Sequence, residues 1–202
     1  MQNFVVVVAT QYDFMATDGA LSVAGADALI GPMRDWLAGL EAERTAGVLF
    51  TFDTHVPEIY APSEEAKLFP AHCVKGTPGW ANTLDPALVD RAIPAWRIEK
   101  GVFDMWAEDG LRIEDARGDA MQPVPRDVFF ERLRDAGVRR VTVIGVAADY
   151  CVRWAIEGLV ARGFAVEVPV GLTRGIDRQI DTVLAEDFAG VPVKALERFS
   201  YS

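Results

Sequence analysis

Cys151 closes an apolar, β-branched run from Val141 to Val146 and opens a stretch where Tyr150, Trp154, Leu159 and Val160 recur at helical spacing up to Gly163. A cysteine at that junction sits where a buried strand hands over to a helix N-terminus. The free N–H groups and partial positive charge there stabilise a thiolate and any oxyanion formed beside it. A lone cysteine is more often a small buried hydrophobe, so its surroundings decide. Asp53 and His55 are two apart, and at an extended strand end both side chains leave on one side. His72, the other histidine of the chain, follows in the next loop. One carboxylate and two imidazoles suit a divalent metal with positions left open for water or substrate. Lys100 follows another apolar run, where its ammonium would lower the Cys151 thiol pKa or stabilise negative charge. Cys73, next to His72, reads as buried filler under the loop, with a second reactive thiol or a metal ligand as the alternatives. Phe14, Phe69, Trp80 and Trp106 are candidate walls of an aromatic pocket, against the commoner role of core packing.

These residues need elements to carry them. Phe4–Val8, Gly47–Phe52, Ala95–Glu99, Arg140–Val146, Ala165–Pro169 and Val191–Leu196 read as strands. Helices are predicted over Ala26–Leu40, Pro125–Ala136, the segment from Cys151 towards Gly163, and Asp177–Phe188. Between Val56 and Thr83 the periodicity dissolves into a Pro/Gly-rich loop of a length that is unusual unless functional. Asp109–Gln122 reads as a surface excursion. Alternating strands and helices predict one α/β domain over residues 1–202. Its architecture is a three-layer α/β/α, doubly wound, Rossmann-like fold on a mostly parallel six-stranded sheet. In such sheets, sites form beyond the carboxyl ends of the strands, where strand order reverses. Thr10–Asp13, Asp53–His55, Lys100 and Cys151 all fall just past strand ends.

Composition excludes several classes. Half of the 202 residues are hydrophobic, as in a folded globular chain, and the net charge of −10 opposes a nucleic-acid or anionic-membrane partner. The opening Met1-Gln-Asn-Phe-Val run lacks the basic flank of a signal peptide, and no run reaches spanning length. Two cysteines make no disulfide framework, so the cytoplasm is the expected compartment. The expected partners are a small molecule and further copies of the chain in a homo-oligomer. There is no G-x-G-x-x-G after the first strand and no G-x-x-x-x-G-K-[ST], so nucleotide-phosphate binding lacks its signature.

Four stretches together resemble the isochorismatase-like cysteine hydrolases, and among them the nicotinamidases. Ala9-Thr-Gln-Tyr-Asp13-Phe14 is similar to the opening D-x-Q-x-D-F, with Gly19–Gly25 like the segment after it. Asp53-Thr-His55 with Pro70-Ala-His72-Cys73-Val-Lys-Gly76-Thr-Pro-Gly79 resembles the metal motif and its P-x-H-C-V-x-G-T-P-G loop. Glu99-Lys100-Gly101 is similar to the catalytic-lysine segment, and Gly145–Val152 to the nucleophile segment G-x-A-T-D-x-C-V. The resemblance implies that Cys151 attacks an amide carbonyl, ammonia leaves, and water hydrolyses the thioester. It implies an oxyanion hole from the N–H groups of Ala147 and Cys151, with a cis peptide between Val146 and Ala147. Lys100 would stabilise the thiolate. Asp53, His55 and His72 would hold one divalent ion, zinc or alternatively iron or manganese, that binds waters and the pyridine nitrogen of nicotinamide. Phe14, Phe69, Trp106 and Val146 would contact the substrate.

The chain departs from the pattern at its first residue. The catalytic aspartate of D-x-Q-x-D-F is replaced by Ala9. An alanine neither takes the thiol proton nor returns it to the departing amine, and a positioned acid/base contributes about 10²–10⁴-fold in rate. Asp13 matches the second aspartate of the motif and braces the loop on this reading. The resemblance therefore implies impaired turnover of nicotinamide to nicotinate and ammonia. A related ureido or carbamoyl hydrolase and a non-catalytic ligand-binding homologue are the alternatives. The extra histidine that some nicotinamidases carry after the Asp-x-His pair is missing, and Glu58 lies nearest its place.

Overall fold

Phe4 to Val8 are five consecutive apolar residues, all buried, because the strand they form lies in the middle of the sheet with neighbours on both edges. A computed structural model describes residues 2–119 and 122–197; Met1, Ala120, Met121 and 198–202 lie outside the described residues, and with them two positions of the expected surface excursion. In chain order the strands and helices are β1 (Asn3–Val8), α1 (Tyr12–Met15), α2 (Ile30–Ala38), β2 (Thr45–Asp53) and α3 (Pro57–Tyr60). Then follow β3 (Ala95–Lys100), β4 (Arg112–Asp115), β5 (Val124–Pro125), α4 (Arg126–Asp135), β6 (Arg140–Val146) and α5 (Cys151–Ala161). The chain finishes with β7 (Ala165–Pro169), β8 (Thr173–Arg174), α6 (Ile180–Asp187) and β9 (Val193–Leu196).

Among the described residues one sheet contains all nine strands, in the order β5-β4-β3-β2-β1-β6-β7-β9, with β8 pairing to β6. The expected sheet of six strands is thus corrected. β1, β2, β3, β6, β7 and β9 form the parallel part, β4 and β5 add an antiparallel edge, and β8 extends β6. The three extra strands escape a periodicity reading because they are two to four residues long and Ile113 is the one buried residue of β4. β4 falls inside the segment expected to be a surface excursion.

The chain runs outward from β1 through β2 to β3, then returns to the other side of β1 to lay down β6 and β7. Strand order therefore reverses between β1 and β6, the position where an open α/β sheet forms a crevice. The two strands approach closely there: a Cβ on Gly145 would lie 2.1 Å from the Val8 carbonyl oxygen, and Gly145 has φ +120°. Only glycine fits that backbone. Of the helices, α5 packs on β6, β7 and β1, which places its N-terminus over the crevice.

Candidate active site

Asp53 and Lys100 are the last residues of β2 and β3 and face each other in register, so their side chains leave the sheet on the same face. The Lys100 ammonium contacts Asp53 Oδ1, donates to the Val102 carbonyl at 3.0 Å, and lies 3.7 Å from Cys151 Sγ. All three side chains are buried. Burial pushes the Asp53 carboxyl up, but the Lys100 charge and His72 outweigh it and leave it below the ordinary value. Burial likewise opposes the Lys100 charge, yet Asp53 and the Cys151 sulfur raise its pKa. The expected depression of the Cys151 thiol is reversed. Burial, aided by the Asp53 charge, pushes it up by more than Lys100 pulls it down.

β6 ends in a cis peptide between Val146 and Ala147, and the turn that follows delivers Cys151 as the first residue of α5. Among the described residues neither the Ala147 nor the Cys151 N–H donates a hydrogen bond, while the Ala147 carbonyl accepts from Tyr150 and Val152. Asp149 folds the next loop onto this turn by accepting from the N–H groups of Ile176, Asp177 and Arg178 at 2.7–2.9 Å.

Past β2 the chain stays extended. His55 forms an isolated bridge with Val74, its N–H donating to Cys73 and its carbonyl accepting from Lys75. That pairing draws His72 to His55, with ring centroids 4.6 Å apart. Ligating atoms of Asp53, His55 and His72 all lie within 4.8 Å of one another. Asp53 Oδ2, His55 Nε2 and His72 Nε2 are buried with no hydrogen-bond partner. His72 Nδ1 lies 2.8 Å from the Pro70 carbonyl, which can only accept, so Nδ1 carries a proton and Nε2 is the nitrogen turned towards Asp53 Oδ2, 3.7 Å away. Burial holds the His55 pKa down at about 4, so that ring is neutral near pH 7. Unpaired, dry and converging nitrogen and carboxylate atoms are what a divalent ion requires.

Several residues here were not singled out in the sequence. Glu65 is half-buried, accepts from the Phe103 N–H at 2.6 Å, and keeps its other oxygen buried without a partner. Burial raises its pKa. Glu58, the acid noted beside the Asp-x-His pair, is on the surface instead. The Gln11 side-chain amide donates to the carbonyls of Asp53 and Trp80 at 2.7 and 2.9 Å and accepts from the Asp53 N–H at 2.7 Å. Asp13 accepts from the N–H groups of Ala20 and Cys73, tying both loops together. Cys73 is fully buried, and its thiol is pushed up by burial.

Phe14 stands 5.2 Å from His72, and Phe69 stands 5.3 Å from Phe103 and 5.5 Å from Tyr150. Phe103 and Tyr150 thus join the two expected aromatics. Val146 is fully buried at the end of β6, and Trp80 donates its indole N–H to Thr54 as a loop anchor. Trp106 is not brought to this group. Its indole N–H donates to the Trp154 carbonyl in α5, and the Arg162 guanidinium covers its ring at 3.8 Å. Ala9 lies just past β1, buried, with φ +48° and its N–H on Thr51.

No protein-family profile matches the chain. The nicotinamidase/pyrazinamidase of Mycobacterium tuberculosis is 32% identical over 192 residues, covering 94% of this chain and 95% of that one. The solved structure of PnC1 from L. infantum in complex with nicotinate has TM-score 0.70 and 27% identity, over 96% of this chain and 92% of that one. The pyrazinamidase of Pyrococcus horikoshii in complex with zinc has TM-score 0.70 and 23% identity, over 98% and 100%. Sharing nearly a third of its residues with the mycobacterial relative along almost its whole length, the chain belongs to the nicotinamidase/pyrazinamidase family of amide hydrolases.

Proposed function

We propose that this single-domain chain is a cytoplasmic, homo-oligomeric nicotinamide amidohydrolase, with Cys151 as nucleophile and its turnover impaired at Ala9. The carrying observation is the Lys100 ammonium, held between the Asp53 carboxylate and the Cys151 sulfur. In this reading Sγ bonds to the carboxamide carbon, and the N–H groups of Ala147 and Cys151 receive the developing oxyanion. Collapse expels ammonia and leaves a thioester that water cleaves to nicotinate. Phe14, Phe69, Phe103 and Tyr150 flank the ring. Asp53, His55 and His72 would hold a divalent ion, zinc or alternatively iron or manganese. When bound, that ion supplies positive charge and coordination positions for the ring nitrogen.

The thiol must lose its proton before it attacks, and the departing amine must gain one. Position 9 offers no group for either transfer, and burial pushes the Cys151 thiol up. Ammonia release from nicotinamide, measured for this chain and for Ala9→Asp, tests the assignment. The expected gain is about 10²–10⁴-fold. No gain would remove the mechanism. Ala9 also favours a second reading, a binding protein that keeps the pocket without turnover. Nicotinamide binding with no ammonia release from either form would establish that one.

A further inference from the structure

Tyr60 ends α3 and is 5% exposed, although its neighbours Glu58 and Ile59 are on the surface. Its ring packs against both imidazoles, with centroids 4.5 Å from His55 and 5.4 Å from His72. Its hydroxyl donates to the carbonyls of Phe69 and Pro70 at 3.1 and 3.2 Å. The Pro70 carbonyl is also the acceptor for His72 Nδ1–H. One phenol therefore touches two rings and the carbonyl that sets the tautomer of one.

We propose that Tyr60 is a positioning residue for the ion-binding cluster, aiming the Nε2 atoms of His55 and His72 by packing on both rings and pinning the Pro70 carbonyl. The proposal rests on reading Asp53, His55 and His72 as a metal site. Imidazole rotation about its last torsion is soft, so a ring stays aimed only if something holds it. For His72 that restraint is the Pro70 carbonyl. Pro70 belongs to no strand, and Tyr60 is the other side chain that bonds its carbonyl oxygen. For His55, whose ring makes no hydrogen bond among the described residues, the restraint is contact with Tyr60 and His72. Partners that orient metal ligands from outside commonly carry 10–100-fold in affinity.

Zinc titration of the metal-free full chain against a chromophoric chelator tests this, with Tyr60→Phe and His72→Ala alongside. Tyr60→Phe removes the hydroxyl and keeps the ring. The expected result is about one zinc per chain, lost in His72→Ala and bound on the order of tenfold more weakly by Tyr60→Phe. The visible absorption of the cobalt-loaded chain gives a second readout. A loosened His72 shifts those bands in Tyr60→Phe, whereas a general loss of stability leaves them in place. Unchanged affinity and unchanged bands in Tyr60→Phe overturn the role of Tyr60 and leave the cluster reading standing. Absence of zinc binding by the unaltered chain, or equal binding by His72→Ala, overturns both.

Discussion

Gln11 carries the ladder of β1 one step past its end. β1 stops at Val8, and beyond it the two faces of one side-chain amide take over the N–H and carbonyl of Asp53. Gln11→Leu would strip partners from the Asp53 N–H and carbonyl and from the Trp80 carbonyl. Each buried group left unpaired costs roughly 1–3 kcal/mol. The expected loss is on the order of 3 kcal/mol in urea unfolding, with weaker zinc binding because Asp53 is no longer held. That Asp53, Lys100 and Cys151 gather at one crevice was legible because each stands just beyond a strand that the sequence predicts, where strand ends deliver side chains. Gln11, Tyr60 and Glu65 were not. Each acts through backbone groups outside its own element, from 9 residues away for Tyr60 to 42 for Gln11, and no local period marks such a residue. Lys100 does pull the Cys151 thiol down, as its sequence position suggests, but the net upward direction was hidden for a related reason. A helix start and a lysine are visible in sequence, but the dryness of the crevice and the charge of Asp53 appear only on folding.

At the scale of elements, Trp106 and Gly158 explain how the loop after Lys100 is fixed to α5. The indole lies so close to the helix that a Cβ on Gly158 would sit 2.1 Å from its Nε1. Arg126 supports the same loop by donating to the carbonyls of Met105 and Glu108. Gly158→Ala should raise helix propensity by up to ~1 kcal/mol, yet the indole is rigid and already bonded to Trp154. The net expectation is destabilisation by about 1–3 kcal/mol, read by chemical denaturation. An aromatic after a catalytic-type lysine looks like a pocket wall in sequence, because nothing local distinguishes a wall from a wedge. The long parallel strands and the helices α4, α5 and α6 were legible from their periods, within a few residues at the ends. The expected helix over Ala26–Leu40 is shorter, with a 3₁₀ turn at Asp27–Leu29 leading into α2.

For the whole molecule, acid stability depends on contacts away from the crevice as well. Asp187 on α6 meets Arg178 at 2.9 Å and Arg153 of α5 at 2.6 Å, and those bonds hold its carboxyl down at about 2. A depressed carboxyl contributes stability that is complete above its unfolded value near 3.9. That contribution disappears as the pH falls towards 2. Exposure to solvent limits the contribution to at most about 1 kcal/mol. Asp187→Asn should therefore lower the thermal midpoint slightly at pH 7 and by less as the pH approaches 2. Melting curves across that range check it. Among the described residues no helix is long and apolar enough to cross a membrane.

The middle strand of the sheet takes one neighbour from early in the chain and one from late. The ammonium and the imidazoles arrive with the first half, whereas the sulfur arrives on β6, whose docking depends on pairs such as Val6 with Val143. A ribosome-bound first half thus has Asp53, His55, His72 and Lys100 well before Cys151 is made. Peeling β6 away would separate the sulfur from the ammonium and the imidazoles in one movement, so under the proposed function fraying at that seam and loss of turnover are a single event.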